Sequence, residues 1–146
     1  MHELDRIPGA CHCGNIGFDL GWPASAREIH VRKCGCTFCQ KHGGAWTSHR
    51  KAELVVKVQD PALISKYQFG TQSADFYTCS VCGVVPFVLS EINERQYAVV
   101  NVNAFDDTGR FSLSVSASDF DGEDVGSRLE RRQRNWIPNV VLEYAG

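Results

Sequence analysis

The seven cysteines of this chain are confined to three short motifs, and this arrangement constrains the fold more than any other feature. The motifs are Cys11-His-Cys13, Cys34-Gly-Cys36-Thr-Phe-Cys39 and Cys79-Ser-Val-Cys82. An odd number of cysteines cannot all pair as disulfides within one chain, and thiols that only fill core space are not grouped in this way. Closely spaced thiolates are typical ligands of zinc. The sequence therefore predicts a protein that folds around bound metal.

Two of the motifs together supply a complete tetrahedral ligand set. A Cys-x-Cys and a Cys-x-x-Cys that are distant in sequence make a closed, four-thiolate site. A glycine follows each pair, at Gly14 and Gly83, where a turn that directs backbone amides at sulfur favours a residue that tolerates positive φ. We predict a structural zinc that joins the first hairpin to the middle of the chain. Its ligands are Cys11, Cys13, Cys79 and Cys82.

The remaining cysteines, Cys34, Cys36 and Cys39, are one ligand short of a closed site. Catalytic zinc is held by three protein ligands, and its fourth position takes water or substrate. The triplet therefore predicts a second, catalytic zinc, and thiolate ligands suit a thiol substrate that is held as its thiolate. In the alternative interpretation a histidine closes this second site, the candidates being His12, His30, His42 and His49. Zinc is favoured over an iron–sulfur cluster because no cluster spacing matches.

Most of the chain reads as short strands. Runs rich in β-branched and aromatic residues alternate with the Gly, Pro, Asn and Asp that turns require. These runs are NIGFDLGW, EIHVRKC, AELVVKV, LISKYQF, DFYTC, VVPFVLS, YAVVNVNA and FSLSVSAS. In the first run Ile16, Phe18 and Leu20 share one face, and Pro86 predicts an edge strand or a bulge because proline cannot donate to a ladder. The expected fold class is mainly β.

One longer helix is predicted, in the segment EDVGSRLERRQRNW over residues 123–136. Acidic residues stand at its start, four arginines follow, and Pro138 stops it. The arginines could form a nucleic-acid patch, but such a run is more often a solvated helix face, and we favour that interpretation. After Cys39, the residues QKHGG allow at most one further helical turn.

Length and charge exclude several classes of partner. The 146 residues suit one domain, assigned to residues 1–146, and the formal net charge is −2. Such a balance gives no general attraction to nucleic acid or to an anionic membrane. No apolar run reaches the length of a membrane span, and MHELDRIPGA lacks the hydrophobic region of a secretory signal. We expect a cytoplasmic protein without nucleic-acid or membrane partners, and the sequence assigns no oligomeric state.

The succession of motifs resembles the glutathione-dependent formaldehyde-activating enzyme family, which shares its domain with centromere protein V. The resemblance rests on GACHCG, CGCTFCQKHGGA and CSVCGVVPF, and it continues through YQFGTQSADFYTC, VVNVNAFDD and DFDG. It implies a zinc-bearing β-tent of short, mostly antiparallel strands with little helix. It also implies two zinc ions, a structural one at the four-cysteine set and a catalytic one at Cys34, Cys36 and Cys39. The implied activity is that of a carbon–sulfur lyase, which joins or releases glutathione and formaldehyde as S-(hydroxymethyl)glutathione.

Two functions follow for comparison. The first is a zinc lyase acting on a small thiol and an aldehyde, in which His42 or His49 could transfer protons. In that case the groups available to hold a substrate carboxylate are Arg32, Lys33, Lys41 and Arg50. The second is a non-catalytic binding or scaffold module, in which both zincs are structural and the arginine-rich segment contacts a partner. A redox switch is not favoured, because the two metal sites leave no cysteine to resolve an oxidised thiol.

Overall fold

The computed structural model describes residues 4–26, 28–69, 71–107, 112–118 and 123–145. The segment DFDG, over residues 119–122, lies outside these ranges. The described strands are β1 (Leu4–Ala10), β2 (Ile16–Pro23), β3 (Glu28–Cys34), β4 (Trp46–Thr47), β5 (Glu53–Val58), β6 (Ile64–Tyr67), β7 (Asp75–Cys79), β8 (Phe87–Ile92), β9 (Arg95–Asn101), β10 (Ser112–Ser118) and β11 (Asn139–Tyr144). The helices are α1 (Thr37–His42) and α2 (Val125–Asn135), with short 3-10 turns at Pro61–Leu63 and Val102–Ala104.

The strands form two sheets, and the chain is mainly β as predicted. The small sheet has the order β1-β2-β5-β11, and the large sheet has the order β10-β3-β4-β9-β8-β7-β6. Most neighbouring strands are antiparallel. The exceptions among the described strands are β10 beside β3 and β11 beside β5, which are parallel. The sequence predicts strands at β3, β5 and β10 but does not encode their direction, because a parallel pair depends on a long connection through the rest of the fold.

The central strands of the large sheet, β8 and β9, are buried on both faces, whereas most residues of β6 and β10 are exposed. On β9, Ala98 and Val100 belong to the core shared with the small sheet, whereas Val99 belongs to a second core that includes Trp46 and Trp136. Burial on both faces explains why this strand reads as an unbroken apolar run rather than an alternating one. The small sheet has one such buried face, and the prediction that Ile16, Phe18 and Leu20 point to the same side is confirmed.

All eight predicted runs contain a strand, but three strands of the described chain were missed: β1, β4 and β11. In β1 the apolar pattern is weak, and Pro8 argues against a central strand; β1 indeed lies at the edge of the small sheet, where proline is tolerated. Of the two alternatives predicted for Pro86, the edge strand was wrong, and the bulge stays a prediction. Pro86 precedes β8, which lies between β7 and β9, and its carbonyl accepts a hydrogen bond from the backbone N–H of Asn101 at 2.8 Å.

Both helices begin and end with recognisable caps. Asp124 caps α2 by accepting from the backbone N–H of Ser127 at 2.9 Å, which confirms the predicted helix and its acidic start. Helix α1 ends at Gly43, which adopts the left-handed conformation at φ 81°. Neither described helix is long and apolar enough to cross a membrane.

The segment after α2 connects the two sheets. Ile137 is fully buried, and its backbone pairs with Ala98 of β9 through hydrogen bonds of 2.9 and 3.0 Å. This pairing fixes the end of α2 against the large sheet before the chain enters the small sheet as β11. Helix α2 is therefore held at a defined place over the outer face of the large sheet.

We expect Gly9→Ala to lower the free energy of unfolding by about 1–3 kcal/mol, because overpacking a filled site forces its neighbours to move. A Cβ at Gly9 would collide with the ring of Phe18 and would lie 2.6 Å from the carbonyl oxygen of Ala104. At Gly17, on the neighbouring strand, the nearest atoms to a new Cβ are 3.8 Å away, so Gly17→Ala is the matched control. Urea unfolding followed by tryptophan fluorescence tests this, and equal midpoints for the two variants would contradict it.

Candidate metal centres and the adjoining cavity

Four of the cysteines converge from two distant turns. Cys11 and Cys13 follow β1, whereas Cys79 ends β7 and Cys82 lies in the turn after it. Their four sulfurs lie within 4.8 Å of one another, with separations of 3.8 Å between Cys11 and Cys13 and 3.5 Å between Cys13 and Cys79. A tetrahedral zinc with bonds of about 2.3 Å to sulfur requires sulfurs about 3.8 Å apart. This four-cysteine group therefore fits a tetrahedral metal ion.

The turns that carry these cysteines direct backbone N–H groups at sulfur. The N–H of Ile16 donates to Cys11 Sγ at 3.3 Å, and the N–H of Cys82 donates to Cys79 Sγ at 3.5 Å. Gly14 and Gly83 adopt positive φ, at 88° and 79°, as predicted. Such hydrogen bonds favour the thiolate, which is the form that binds metal.

The protonation of the four-cysteine group also fits a cation. Burial raises the pKa of the Cys11 thiol to about 12. For Cys82, burial acts in the same direction, but hydrogen bonds from the backbone N–H groups of Val84 and Cys13 and from neighbouring thiols outweigh it, so its pKa falls to about 6. Several thiolates in contact repel one another, and full deprotonation of the group therefore requires a positive ion at its centre.

The remaining three cysteines lie together at the start of α1, with their sulfurs within 4.8 Å of one another. We call Cys34, Cys36 and Cys39 the cysteine triplet. Cys36 is the N-cap of α1, and its sulfur accepts from the N–H of Cys39 at 3.3 Å. The N–H of Cys36 donates to Cys34 Sγ at 3.5 Å, and the indole N–H of Trp46 donates to Cys39 Sγ at 3.4 Å. Burial raises the pKa of Cys36, and the contact with Cys34 together with burial raises that of Cys39.

None of the histidines in the described ranges belongs to the triplet. His42 stacks on Phe38 with ring centroids 5.4 Å apart, and its buried Nδ1 has no hydrogen-bond partner. Nδ1 of His30 lies 2.6 Å from the hydroxyl of Ser114. Nδ1 of His49 accepts from the N–H of Lys51 at 3.1 Å. The described geometry therefore matches three protein ligands at this position rather than four.

A cavity of about 630 Å³ adjoins the triplet, and all three of its cysteines line the wall. No cysteine of the four-cysteine group is part of this described wall. The apolar part of the lining comes from the outer face of the large sheet and from the end of α2, and it includes Trp46, Phe76, Val88, Val99 and Trp136. The two cysteine groups therefore differ in access: one lies against the main core, and the other opens into a space that a small molecule can enter.

The arginines of α2 form the charged wall of the same cavity. The prediction of a solvated face was wrong for Arg128, Arg131 and Arg132, which line the cavity, and only Arg134 of the four is exposed to solvent. Positions separated by three and four residues lie on one face of a helix, so the spacing of these arginines already indicated a common direction. The sequence alone does not show the surface against which that face packs.

Arg132 is the most deeply placed of these side chains, with 7% of its surface exposed. Its Nη1 donates to the carbonyl and hydroxyl oxygens of Ser73, at 3.1 and 2.8 Å, and to the hydroxyl of Ser90 at 3.1 Å. The guanidinium also lies over the ring of Trp136 at 4.8 Å. Burial, followed by the charges of neighbouring arginines, lowers its pKa to about 10, so Arg132 stays charged at neutral pH.

Of the helper groups proposed from the sequence, Arg32 reaches the cavity. The others, Lys33, Lys41, Arg50, His42 and His49, are not part of its described lining. Arg32 Nη2 donates to the hydroxyl of Ser48 at 2.9 Å, and that hydroxyl donates to the carbonyl of Asn135 at 2.8 Å. These hydrogen bonds connect β3 to the last turn of α2, so Arg32 both lines the cavity and positions the helix that forms the charged wall.

The fold and its two cysteine groups define a metal-binding β-protein with thiolate ligands. The chain belongs to the glutathione-dependent formaldehyde-activating enzyme family, whose model matches residues 6–120, and this confirms the resemblance seen in the sequence. A protein of Rhodobacter sphaeroides with a crystal structure from structural genomics has the same fold, with a TM-score of 0.52 and 24% identity. That likeness covers 73% of this chain and 99% of the other. All seven cysteines lie within the family match, whereas α2 and β11 lie beyond it.

We expect Cys79→Ser to release one zinc ion and to cost about 4 kcal/mol of unfolding free energy, by analogy with the entropy of closing a comparable loop with a disulfide. Cys13 and Cys79 are 66 residues apart, so a shared ion closes a long loop. Ser80→Ala is the matched control, because Ser80 lies in the same turn and its side-chain hydroxyl contacts the hydroxyl of Ser65 rather than a cysteine. Zinc content and thermal unfolding measure both effects, and a Cys79→Ser protein with wild-type stability would contradict the expectation.

We expect Cys36→Ser to lose only the ion of the triplet. Serine is a good N-cap, so its hydroxyl can still accept from the N–H of Cys39 and keep α1 in place, but it replaces a soft thiolate by a poor zinc ligand. The triplet spans six residues, and its ion therefore closes almost no loop. One zinc per chain with an unchanged thermal midpoint is the expected result. Loss of both ions, or of the fold, would show that the two groups are not independent.

Proposed function

We propose that this protein is a zinc-dependent carbon–sulfur lyase that joins or releases a small thiol and an aldehyde. The observation that carries the proposal is the cysteine triplet, which offers three thiolate ligands and opens into the cavity. The chemistry of the family supports the choice of a glutathione-like thiol and formaldehyde. In this proposal Cys34, Cys36 and Cys39 hold the catalytic zinc.

The four-cysteine group takes the structural role in this proposal. Its ligands are Cys11, Cys13, Cys79 and Cys82, and the group lies against the main core and away from the described cavity wall. A closed four-thiolate site leaves no position for a substrate. Two zinc ions per chain therefore have different tasks, one in stability and one in the reaction.

The reaction itself is an addition across a carbonyl group. The thiol sulfur forms a bond to the aldehyde carbon, the S–H bond breaks, and the proton ends on the former carbonyl oxygen; release reverses each step. Zinc at the triplet supplies a Lewis acid that favours the thiolate form of the substrate at neutral pH. The apolar wall with Trp46, Phe76 and Trp136 reduces the access of water to the reacting groups, and the arginines give the cavity a positive charge that suits an anionic substrate.

The chain's own residues also fix the orientation of the triplet. The indole N–H of Trp46 donates to Cys39 Sγ, and the backbone N–H of Cys39 donates to Cys36 Sγ. Hydrogen bonds of this kind hold each sulfur in one direction and moderate its charge, in the manner of other residues that support metal ligands. A non-catalytic module would not require a three-ligand site beside a cavity, which favours the enzyme over the scaffold interpretation.

The test is an exchange experiment on the zinc-loaded protein. Glutathione and ¹³C-formaldehyde equilibrate with their adduct, and NMR exchange spectroscopy measures the rate with and without protein. We expect wild type to accelerate the exchange, Cys36→Ser to lose most of the acceleration, and Gln40→Ala, an exposed position on α1, to retain it. X-ray absorption at the zinc edge should also change when glutathione is added.

Two outcomes would contradict the proposed function. One is a wild-type protein with two zinc ions that leaves the exchange rate unchanged. The other is a zinc-edge spectrum that shows four protein ligands at both ions and no response to thiol. Either outcome would favour the scaffold interpretation.

A further inference from the structure

The described wall of the cavity carries an excess of positive charge. Four guanidinium groups line it, those of Arg32, Arg128, Arg131 and Arg132, against the single carboxylate of Glu123. Burial lowers the pKa of Arg32, and the like charge of Arg131 adds a smaller effect in the same direction. Positive groups taken out of water are stable only when anions or hydrogen bonds compensate them. The cavity is therefore suited to a ligand with negative charge.

The four arginines do not have the same task. Arg132 donates its Nη1 to Ser73 and Ser90 and lies over Trp136, so it belongs to the framework of the cavity. Arg32 donates to Ser48 and positions α2. Arg128 and Arg131 lie one turn apart on the same helix face, nearer to its start, and Glu123 contacts both. Arg128 and Arg131 are therefore the arginines of the described wall that contact its carboxylate.

The contacts of Glu123 show what this pair recognises. Arg131 Nε lies 3.3 and 3.2 Å from the two carboxylate oxygens, and its Nη2 lies 3.1 Å from Oε1. Arg128 Nε lies 3.4 Å from Oε1. All three side chains are 16–20% exposed, and the bond to Arg131 lowers the pKa of Glu123. A carboxylate held in a fork by one guanidinium and flanked by another is the geometry of a carboxylate-binding site.

The carboxylate of Glu123 can leave without loss of the helix. Glu123 precedes the N-cap, and the cap itself is made by Asp124, which accepts from the N–H and hydroxyl of Ser127 at 2.9 and 3.0 Å. The same cavity wall includes the cysteine triplet, so a single small molecule can contact the triplet at one end and α2 at the other. Helix α2 also lies beyond residues 6–120, which match the family.

We propose that Arg128 and Arg131 form a carboxylate-binding subsite of the cavity, and that Glu123 is a built-in competitor that the carboxylate of the thiol substrate displaces. The thiol end of this substrate rests on the function proposed above. The inference that its carboxylate binds at Arg128 and Arg131 depends only on the contacts of Glu123. The affinity of the subsite for the substrate therefore depends on a difference in binding free energy. It compares the substrate carboxylate with that of Glu123 at the same two guanidinium groups.

Calorimetric titration of the zinc-loaded protein tests the subsite with three probes: glutathione, 2-mercaptoethanol, which has no carboxylate, and succinate, which has no thiol. We expect Arg131→Gln to weaken glutathione and succinate binding about tenfold or more, because a charge-assisted bidentate contact is lost. Glu123→Gln should strengthen both severalfold, since the competing charge is removed. Neither variant should alter the binding of 2-mercaptoethanol.

Two substitutions on exposed positions of the same helix are the matched controls. Arg134→Gln removes the same charge as Arg131→Gln, and Glu130→Gln removes the same charge as Glu123→Gln, but both control positions lie outside the described lining of the cavity. They should leave all three affinities within about twofold, as expected for screened surface charges. Circular dichroism and thermal unfolding confirm that each variant is folded. If Arg131→Gln lowers stability, the opposite effect of Glu123→Gln still tests the subsite.

The outcomes separate this inference from the proposed function. Equal losses for glutathione and 2-mercaptoethanol, or succinate binding that is insensitive to Glu123→Gln and Arg131→Gln, would overturn the subsite and leave the lyase proposal intact. Succinate binding that follows the two variants, in a protein to which neither thiol binds, would support the subsite and contradict the lyase proposal. Inorganic phosphate that binds more tightly than succinate would also overturn the assignment to a carboxylate.

Discussion

The meeting of two cysteine turns from different sheets is the constraint on which the arrangement of the chain depends. Cys11 and Cys13 leave the small sheet, and Cys79 and Cys82 leave the large sheet, yet their sulfurs lie within 4.8 Å of one another. Each turn is stabilised locally by N–H groups that donate to sulfur. A divalent ion bound at this point would replace mutual repulsion of the thiolates by attraction, and it would thereby fix how the sheets are placed relative to one another.

The two cysteine groups offer the same ligand type in different surroundings. Cys11 and Cys79 of the four-cysteine group lie in the main core, and none of its four cysteines lines the described wall of the cavity beside the triplet. At the start of α1, three sulfurs lie beside an apolar wall and a charged one. The adjoining cavity and the number of protein ligands, rather than the chemistry of cysteine, therefore distinguish a site suited to a reaction from a site suited to stability.

The charged wall depends on Arg132, a buried arginine that packs into the framework of the cavity. Arg132 donates hydrogen bonds to Ser73 and Ser90 and packs on Trp136. These contacts fix α2 over the large sheet. Its neighbours Arg128 and Arg131 then face the cavity rather than solvent. A buried charge is tolerated here because polar groups compensate it, and it gives the helix one defined orientation.

The sequence by itself determined the features that depend on local spacing. It predicted the mainly β class, the eight strand-bearing runs, α2, the positive φ at Gly14 and Gly83, and the division of the cysteines into a set of four and a set of three. It did not predict β1, whose apolar pattern is weak and contains Pro8, although β1 pairs with the next strand, β2. It did not predict β11, which pairs with β5 from a distant part of the chain. Nor did it predict which way the arginines of α2 point. The helical spacing of Arg128, Arg131 and Arg132 defines a face, but only the packing of α2 on β8 and β9, fixed by Ile137 and Arg132, decides that this face borders a cavity. The spacing of residues determines local geometry, whereas the surface against which one face of a helix packs depends on the whole fold.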